Sequence, residues 1–438
     1  MLPQIRTLRR QSVQLNYKRT FFIGLAFLSI SAFWQMYDSL VPLMLKNTFR
    51  IGDTLAGAIM ALDNVLALFM LPLFGALSDR VRTPIGKRMP FIVGGTAAAV
   101  VAMILVPVSD NLVNFPMFVV VLFLTLVAMS TYRSPAVALM PDVTPKPLRS
   151  KANAVINLMG AVGAIISLAL MSLLIPDVGK PNYLPIFACV AGLMVGAVVI
   201  LVITIRENKL LEEMKQLQGH GEEREEAGVE GSGALPRDVQ RSLLFILISI
   251  FLWFMAYNAI TTAFSKYAQT VLGMVGGGFA NSLLLATAAA VVTFIPSGLI
   301  ATRIGRKRTI LSGIVILFAC FAAATAYTAY HPTINILFVL VGVGWALINV
   351  NSYPMVVEMA KGSDVGKFTG YYYTFSMAGQ IVTPILSGAL LEHVGYRTLF
   401  PYAAFFSVLA FITMSMVQHG DSRPAVHQDK LQYLNVGD

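Results

Sequence analysis

Charged side chains are scarce in this sequence. Only 12% of its 438 residues are Asp, Glu, Lys or Arg, whereas about a quarter of the residues in a soluble globular domain are charged. Apolar residues make up 56% of the chain, and the mean hydropathy is +0.72. This composition excludes an ordinary soluble fold and predicts a chain whose helices lie in a lipid bilayer.

Cysteine and histidine are also scarce. The two cysteines, Cys189 and Cys320, lie inside apolar runs and lack the paired spacing of a metal site or a disulfide framework. The five histidines lie in connecting segments or near the ends of apolar runs, so no histidine relay is predicted inside the membrane. Because nucleophile elbows, phosphate loops and metal-ligand patterns are missing as well, we expect no enzymatic activity, no cofactor and no bound metal.

Long hydrophobic runs are abundant. A helix needs about 20 apolar residues to cross the hydrocarbon core of a bilayer, and twelve runs of that kind are present. Their approximate limits are 20–45, 54–78, 90–108, 115–140, 151–175, 184–205, 241–266, 277–302, 309–329, 334–358, 366–390 and 397–417. The first run is too long for the core of a signal peptide, so we expect it to be retained as the first helix.

The basic residues indicate the orientation in the membrane. Connecting segments on one side of the predicted helices hold 26 Lys and Arg residues, and those on the other side hold five. Because basic loops stay in the cytoplasm, both termini are predicted to be cytoplasmic in a multi-pass protein of the cell inner membrane. The net charge of +10 therefore reports orientation and does not predict nucleic-acid binding.

A polar stretch divides the runs into two sets of six. Residues 206–240 are rich in Glu, Lys and Gly and are predicted to form a cytoplasmic linker that is partly helical at first and disordered later. An N-terminal six-helix bundle is predicted over 1–205. A C-terminal six-helix bundle is predicted over 241–417, followed by a cytoplasmic tail over 418–438.

The two halves also repeat each other in sequence. The second run is followed by a tract with Gly75, Asp79 and Arg80, and the eighth run is followed by a similar tract that begins at Gly298, 223 positions later. Aromatic and polar residues of the first run recur 220 positions later in the seventh run. The recurring residues are Phe33, Trp34, Tyr37, Asp38 and Lys46, then Trp253, Phe254, Tyr257, Asn258 and Lys266. Such a duplication implies two parallel bundles with a transport site between them near the midplane.

The loop pattern Gly-x-x-x-Asp-Arg followed by Gly-Lys-Arg resembles the signature of the major facilitator superfamily. This resemblance covers the whole chain and implies an all-α membrane protein with twelve transmembrane helices in two pseudo-symmetric six-helix bundles. The tracts GALSDRVRTPIGKRMPFI, PAVALMPD, LRSKANAVINLMG and GVGWALINVNSYP more narrowly resemble the sucrose-type proton symporters, beside the glycoside-pentoside-hexuronide cation symporters. That group implies cation-coupled sugar uptake.

The chain departs from these groups at the residues that would select the ion. The paired aspartates of helix two in sodium-coupled melibiose-type carriers fall on Ala67 and Leu71. The aspartate early in helix four of plant sucrose carriers falls on Leu126 or its apolar neighbours. These departures leave the identity of the coupling ion open.

Three charged side chains lie well inside the predicted spans: Asp38, Asp63 and Arg133. Charge is costly near the bilayer centre, so these residues are predicted to couple a proton or another cation to transport. Desolvation favours a protonated carboxyl group and a nearby guanidinium favours the charged one, and this competition would allow proton binding on one side and release on the other. The helical rise places Asp63 and Arg133 at different depths, so a direct pair requires Arg133 to reach outward. The alternative is that the three residues only lock the N-terminal bundle.

The three tryptophans lie near the middle of spans one, seven and ten, away from the interfacial positions that tryptophan usually takes. The superfamily resemblance implies that spans 1, 4, 7 and 10 line the central cavity, where aromatic rings would stack on a sugar and a few polar groups would hold its hydroxyls. The predicted substrate-binding residues are Trp34, Tyr37, Asp38, Arg133, Trp253, Tyr257, Asn258, Trp345, Asn349 and Gln380, with Asn351 as a further candidate. Any single ring has packing between helices as its alternative, and packing is the preferred interpretation of Tyr371–Tyr373.

The duplicated loop motif is predicted to gate the cytoplasmic side. Gly75 and Gly298 would permit close helix approach, and Asp79 would form charge contacts that are individually weak at an aqueous rim. The motif residues are Gly75, Asp79, Arg80, Gly86, Lys87, Arg88, Gly298, Arg303, Gly305 and Arg306. Because Thr302 replaces the acid in the second copy, the contacts are expected to be asymmetric.

These observations together predict a monomeric secondary active transporter. It would couple a cation, a proton before sodium, to the uptake of a small sugar or glycoside of about disaccharide size by alternating access. One alternative is a proton-coupled drug or metabolite exporter of the same fold, which the 21 methionines favour. Another is a membrane sensor that signals through the linker or the tail, although both are short for a folded effector domain.

Overall fold

A computed structural model describes residues 15–145, 148–177, 181–218, 236–359 and 365–421. Within these residues the secondary structure is helical, and twelve helices are long and apolar enough to span a membrane. The predicted number of spans is therefore confirmed. The middle of the predicted linker, 219–235, and the predicted tail from 422 onward lie outside the described residues.

The spanning helices of the first half are α1 (Tyr17–Asn47), α2 (Asp53–Arg80), α3 (Met89–Asn111), α4 (Phe115–Asp142), α5 (Arg149–Leu174) and α6 (Leu184–Thr204). The start of the linker forms an additional helix, α7 (Glu207–Gln218). The second half contains α8 (Arg237–Thr270), α9 (Gly278–Ile304), α10 (Arg306–Ala324), α11 (Ile334–Glu358), α12 (Val365–His393) and α13 (Leu399–Ser415), the last preceded by a 3₁₀ turn (Tyr396–Thr398).

Local sequence explains where several helices begin and end. The side chains of Asn16 and Asn114 cap α1 and α4 by accepting hydrogen bonds from Arg19 N and Met117 N at 3.0 and 3.1 Å. Gly305 separates α9 from α10 with φ of +94°, a conformation that favours glycine. Most helices extend beyond the predicted runs because hydropathy detects only the part that crosses the hydrocarbon core.

The helices alternate in direction, so the twelve spans bring both ends of the described chain to the same end of the bundle. We call this end the terminus face; it carries the α2–α3, α4–α5, α9–α10 and α11–α12 connections and α7. The opposite end, which carries the α1–α2 and α8–α9 connections, is called the far face. Leu210 and Met214 bury α7 against the first half, and Arg19 pairs with Glu213 at 3.4 Å.

The two halves are built from equivalent contacts. In the first half α1 packs on α5 and α6, α3 packs on α4 and α6, and α2 packs on α4. The second half repeats each pairing, with α8 on α12 and α13, α10 on α11 and α13, and α9 on α11. A Cβ at Gly95 or at the equivalent Gly313 would lie 2.8 or 2.6 Å from a backbone atom of the neighbouring helix. The halves are therefore pseudo-symmetric, as the repeat predicted.

Contacts between the halves lie along the sides and at the far face. Helix α2 packs on α12, α5 packs on α9 and α1 packs on α8, whereas α4 and α11 are not in substantial contact within the described ranges. Side-chain hydrogen bonds join Asn47 to Gln269 at 3.1 Å and Ser172 to Asn281 at 2.7 Å, both at the far face. The halves are thus joined at the far face and diverge toward the terminus face.

Candidate functional site

The three charged residues predicted inside the spans lie close together in the first half. Asp38 on α1, Asp63 on α2 and Arg133 on α4 are surrounded by protein and near enough for their charges to interact. Each nevertheless keeps part of its surface accessible. They therefore face an internal space between the halves, which we call the central chamber.

Arg133 does not pair directly with either acid. Its guanidinium lies over the ring of Trp34, 5.6 Å from the centroid, at a distance typical of a cation–π contact. Asp63 instead accepts hydrogen bonds from the side chain and backbone of Asn64 at 2.7 and 2.6 Å. Among the described residues no ion pair joins Arg133 to Asp38 or Asp63, so the direct pair considered from the sequence is not formed.

Of three neighbouring aromatic residues on α1, one faces the chamber and two pack behind it. Trp34 is partly accessible and makes edge contacts with Phe33 and Tyr37 at centroid distances of 5.2 and 5.5 Å. Tyr37 is only 2% exposed and stacks on Phe33. In contrast to the prediction, Tyr37 is therefore part of the first-half core and does not line the chamber.

The facing wall is formed by α8 and α11. Tyr257 stacks on Trp345 with ring centroids 3.8 Å apart and planes within 5°, and Phe254 meets the same indole edge-on at 5.3 Å. Trp253 is 1% exposed and is buried in the second half, which corrects its prediction as a substrate contact. Residues 254, 257 and 258 share one helical face, whereas Trp253 is turned about 100° from Phe254.

The predicted amide groups also differ in position. Asn349 is exposed in the middle of α11, one turn beyond Trp345, and Asn258 and Gln380 are partly accessible on α8 and α12. Asn351 is 3% exposed and donates to Ser297 Oγ at 3.0 Å. It therefore ties α11 to α9 and is not a chamber residue.

Two tyrosines near the terminus face were missed as chamber residues. Tyr373 on α12 is 56% exposed and close enough to Arg133 for electrostatic interaction across the chamber. Tyr353 on α11 is 37% exposed, with its ring centroid 6.4 Å from that of Tyr373. Tyr372 is buried and bonded to Ser352 at 3.1 Å, as the packing interpretation predicted. Trp345, Asn349 and Tyr353 are spaced four residues apart and therefore share one face of α11. This spacing is the sequence pattern that could have predicted the chamber wall on α11.

The first copy of the loop motif is a network inside the first half. Arg88 is 4% exposed and donates to Asp142 at 3.0 Å, to Asp79 at 2.5 Å and to the carbonyl of Gly75 at 3.0 Å. Lys87 pairs with Asp142 at 2.9 Å and with Asp79 at 3.5 Å. These contacts hold α2, α3 and α4 together. Arg80 is exposed.

A carboxylate from the linker completes this network. Glu207, at the start of α7, accepts hydrogen bonds from the backbone N–H groups of Lys87, Arg88 and Met89 at 3.0–3.1 Å. It thereby caps α3, where an anion is favoured by the unpaired N–H groups and the helix dipole. Gly86 has φ of +127°, and a Cβ there would overlap the Glu207 carboxylate. The sequence placed Glu207 at the start of the predicted linker and did not indicate this role.

The second copy keeps part of the same arrangement. Arg306 pairs with Glu358 at the end of α11, and Asp421 caps α10 by accepting from Arg306 N at 2.5 Å and Lys307 N at 3.3 Å. Among the described residues, Thr302 bonds only to the carbonyl of Leu299 in its own helix, so the contacts of the two motif copies are asymmetric, as expected. Arg303 is exposed.

One motif residue is corrected by the structure. A Cβ at Gly298 would meet no atom within 4 Å, so this glycine does not permit a close helix contact. Gly75 differs, because a Cβ there would lie 3.2 Å from Ser134 Oγ. The described motif contacts lie within one half or the other, and a gating role for them stays a prediction.

Comparison with known proteins identifies the family. The model of the Major Facilitator Superfamily matches residues 23–323 and 278–432. The chain belongs to the Major Facilitator Superfamily. The narrower resemblance to sucrose-type symporters stays a prediction. No cluster of three or more His, Cys, Asp or Glu residues that could hold a metal ion occurs among the described residues of this superfamily member.

Curated relatives within the superfamily match only in part. The MFS-type transporter ppzB of Metarhizium majus (strain ARSEF 297) is 28% identical over 130 residues, which is 29% of this chain and 28% of that protein. Its namesake from Metarhizium rileyi (strain RCEF 4871) is 29% identical over 129 residues, 28% of this chain and 26% of that protein. The chain thus matches between a quarter and a third of the length of these relatives.

Solved superfamily structures match over nearly the whole chain at low identity. The nucleoside transporter NupG has a TM-score of 0.67 and 15% identity, covering 92% of this chain and 100% of that one. A POT family transporter in complex with 5-aminolevulinic acid has a TM-score of 0.67 and 12% identity, covering 92% and 95%. The human organic anion transporter MFSD10 has a TM-score of 0.60 and 16% identity, covering 92% and 100%. At these identities the likeness shows the fold alone.

Proposed function

We propose that this protein couples a cation, a proton before sodium, to the uptake of a small sugar or glycoside by alternating access. The observation that carries the proposal is the composition of the central chamber. Asp38, Asp63 and Arg133 lie in one wall, and the Tyr257–Trp345 stack lies in the other. Ionisable groups at this depth are expensive unless they serve transport, and a flat aromatic pair suits the apolar face of a sugar ring.

The two walls of the chamber would have different roles, one in binding the proton and the other in binding the sugar. Carboxyl groups in the first half would take up and release the proton, and the position of Arg133 near both would favour their charged form when the chamber opens to a low proton concentration. In the second half Asn349 and Gln380 present amides that can donate to and accept from sugar hydroxyls. A few such polar groups in an aromatic pocket set the orientation of a small solute.

Alternating access follows from the way the halves meet. We assign the terminus face to the cytoplasm, because it carries the excess of basic residues. The described conformation is then open to the cytoplasm, and uptake requires the far face to part while the terminus face closes. Because contacts within each half are extensive, rocking of the two halves about the α2–α12 and α5–α9 packing is the simplest motion.

Names of the structural neighbours support a small polar solute. The matched structures are described as a nucleoside transporter, a peptide-family transporter holding 5-aminolevulinic acid and an organic anion transporter. The rival proposal is a proton-coupled exporter of a drug or metabolite. Such an exporter would gain from a more apolar cavity, whereas Asn258, Asn349 and Gln380 make this chamber polar.

Uptake by purified protein in liposomes tests the proposal. Labelled mono- and disaccharides would be offered with no gradient, an imposed pH gradient or an imposed sodium gradient. We expect accumulation of at least one sugar that is driven by the pH gradient and lost in Asp63→Asn. Flux that ignores both gradients, with Asp63→Asn equal to the parent, would reject the coupling. Gradient-driven export of lipophilic compounds with no sugar uptake would establish the rival.

A further inference from the structure

Among the described residues, the guanidinium of Arg133 has no hydrogen-bond acceptor. It donates to no described residue, and among the described residues no carboxylate lies within ion-pair distance. A guanidinium presents five N–H donors in a planar fork, and burying such a group without acceptors is costly. The guanidinium lies over the face of Trp34, and this contact leaves the N–H groups at the edge of the fork available to a ligand.

Two neighbouring groups add further donors, one from each half. The indole N–H of Trp34 is buried and without a hydrogen-bond partner among the described residues. Tyr373 presents its ring and hydroxyl from the opposite half, within electrostatic range of Arg133. Buried polar groups are normally satisfied. A ligand that supplies several acceptor oxygens would satisfy this set.

The formal charge of the chamber wall depends on how many of its carboxyl groups are protonated. With both aspartates ionised, Asp38, Asp63 and Arg133 sum to one negative charge. With both protonated they sum to one positive charge. In a chamber of low dielectric the positive state attracts an anion and the negative state repels it. Proton release would thus expel an anionic solute, which couples the two movements directly.

We propose that the transported solute carries a carboxylate, and that Arg133 binds this carboxylate beside Trp34 while Tyr373 closes the site from the other half. This inference rests on the proposed function and narrows its substrate to an acidic sugar or glycoside. A planar carboxylate matches the guanidinium fork in a bidentate pair. The sugar ring then extends from Arg133 toward the Tyr257–Trp345 stack.

Matched pairs of solutes test this proposal. Methyl glucuronide and methyl glucoside differ only in a carboxylate against a hydroxymethyl group, and lactobionate with lactose extends the comparison to disaccharide size. Binding would be measured on the full chain in detergent by quenching of tryptophan fluorescence, and uptake would be measured in liposomes. We expect the acidic member to bind at least tenfold more tightly, because a site built for a charged group rejects the analogue that lacks it.

Substitution of Arg133 supplies the second arm. In Arg133→Gln the affinity for the acidic member should fall about thirtyfold or more, since truncating one side of a buried charge pair is costly, while the neutral member changes little. Arg133→Lys keeps the charge but loses the fork, so an intermediate loss is expected. Arg308→Gln removes an exposed arginine at the terminus face and should behave as the parent. Thermal unfolding confirms that each variant is folded.

The outcomes separate this inference from the proposed function. Preference for the acidic members that disappears in Arg133→Gln supports both. Uptake of neutral sugars with an equal effect of Arg133→Gln on both members overturns the carboxylate site and leaves sugar transport standing. Binding of acidic members without any uptake supports the site and rejects the transport proposal. Absence of binding and uptake for every probe overturns both.

Discussion

Replacing Lys266 by methionine is expected to open the far face. Lys266 on α8 donates to Asp53 on α2 at 2.6 Å, and both residues are at least nine-tenths buried. Tyr396 donates to the second carboxylate oxygen of Asp53, and Lys46 lies 3.8 Å from the Tyr396 ring centroid. This cluster joins the first half to the second at the far face, beside a crevice whose lining includes Met60 and Lys266.

The expected change in the opening equilibrium follows from the burial of the Lys266–Asp53 pair. Removing one member of a buried ion pair leaves an uncompensated charge and costs about 3–5 kcal/mol. Lys46 is close enough to interact with Asp53, so the lower end applies. Opening the far face would hydrate Asp53 and relieve the cost, which shifts the closed-to-open equilibrium by about 3 kcal/mol, or roughly 150-fold.

Reaction of a single cysteine measures that shift. Met60→Cys would be introduced after Cys189 and Cys320 are replaced by alanine, and its reaction with a membrane-impermeant maleimide would be followed from the far face. Met60 is 5% exposed in the closed arrangement, so reaction should be slow in the parent and roughly 100-fold faster in Lys266→Met if opening limits it. The exposed residue Arg397 provides the matched control Arg397→Met.

A double variant distinguishes the pair from general damage. Asp53→Asn with Lys266→Met removes both charges, and such double replacements are often close to neutral. Its labelling rate should return most of the way to that of the parent, which gives a coupling energy from the double-mutant cycle. The reasoning is refuted if Lys266→Met labels within twofold of the parent while remaining folded, or if the double variant labels faster than Lys266→Met.

Three further predictions use matched variants. Gly57→Ala would place a methyl group against a carbonyl oxygen of α12 and should speed labelling from the far face, whereas Gly298→Ala, with nothing within 4 Å, should not. Glu207→Gln should lower stability to thermal unfolding by about 1–3 kcal/mol because it weakens three charge-assisted backbone bonds, and the exposed Glu212→Gln should leave it unchanged. Trp345→Ala removes one face of the stacked pair and should weaken sugar binding by about 1 kcal/mol in fluorescence titrations, without changing the unfolding temperature by more than a few degrees.

Most of the fold could be predicted from sequence because the bilayer imposes a simple rule. A helix must be long and apolar enough to satisfy its own backbone in lipid, so twelve runs gave twelve helices. The repeat gave the pseudo-symmetric halves. Helix ends were less accurate: the predicted run 309–329 corresponds to a helix that ends at Ala324, since the following turn keeps apolar residues without helical geometry.

The sequence indicated which spans carry aromatic and charged side chains, but it did not indicate which of those side chains are buried. Position in a span identified Trp34 and Trp345, but depth does not give the direction of a side chain. Tyr37 and Trp253 lie one helical step from the chamber face and are buried. The Asp53–Lys266 pair joins residues 213 positions apart. The sequence repeat marks Lys266 as the counterpart of Lys46, but it does not indicate Asp53 as the partner of Lys266.

The capping carboxylates have a consequence for how the chain can be divided. Glu207 follows the sixth spanning helix and caps the third, α3. Asp421 follows the twelfth spanning helix and caps the ninth, α10. Each set of six helices therefore contains its own capping carboxylate. Cleavage of the chain anywhere in 219–235 would leave two fragments, each of which keeps that carboxylate. Two fragments that are expressed separately should therefore associate in the membrane and restore transport.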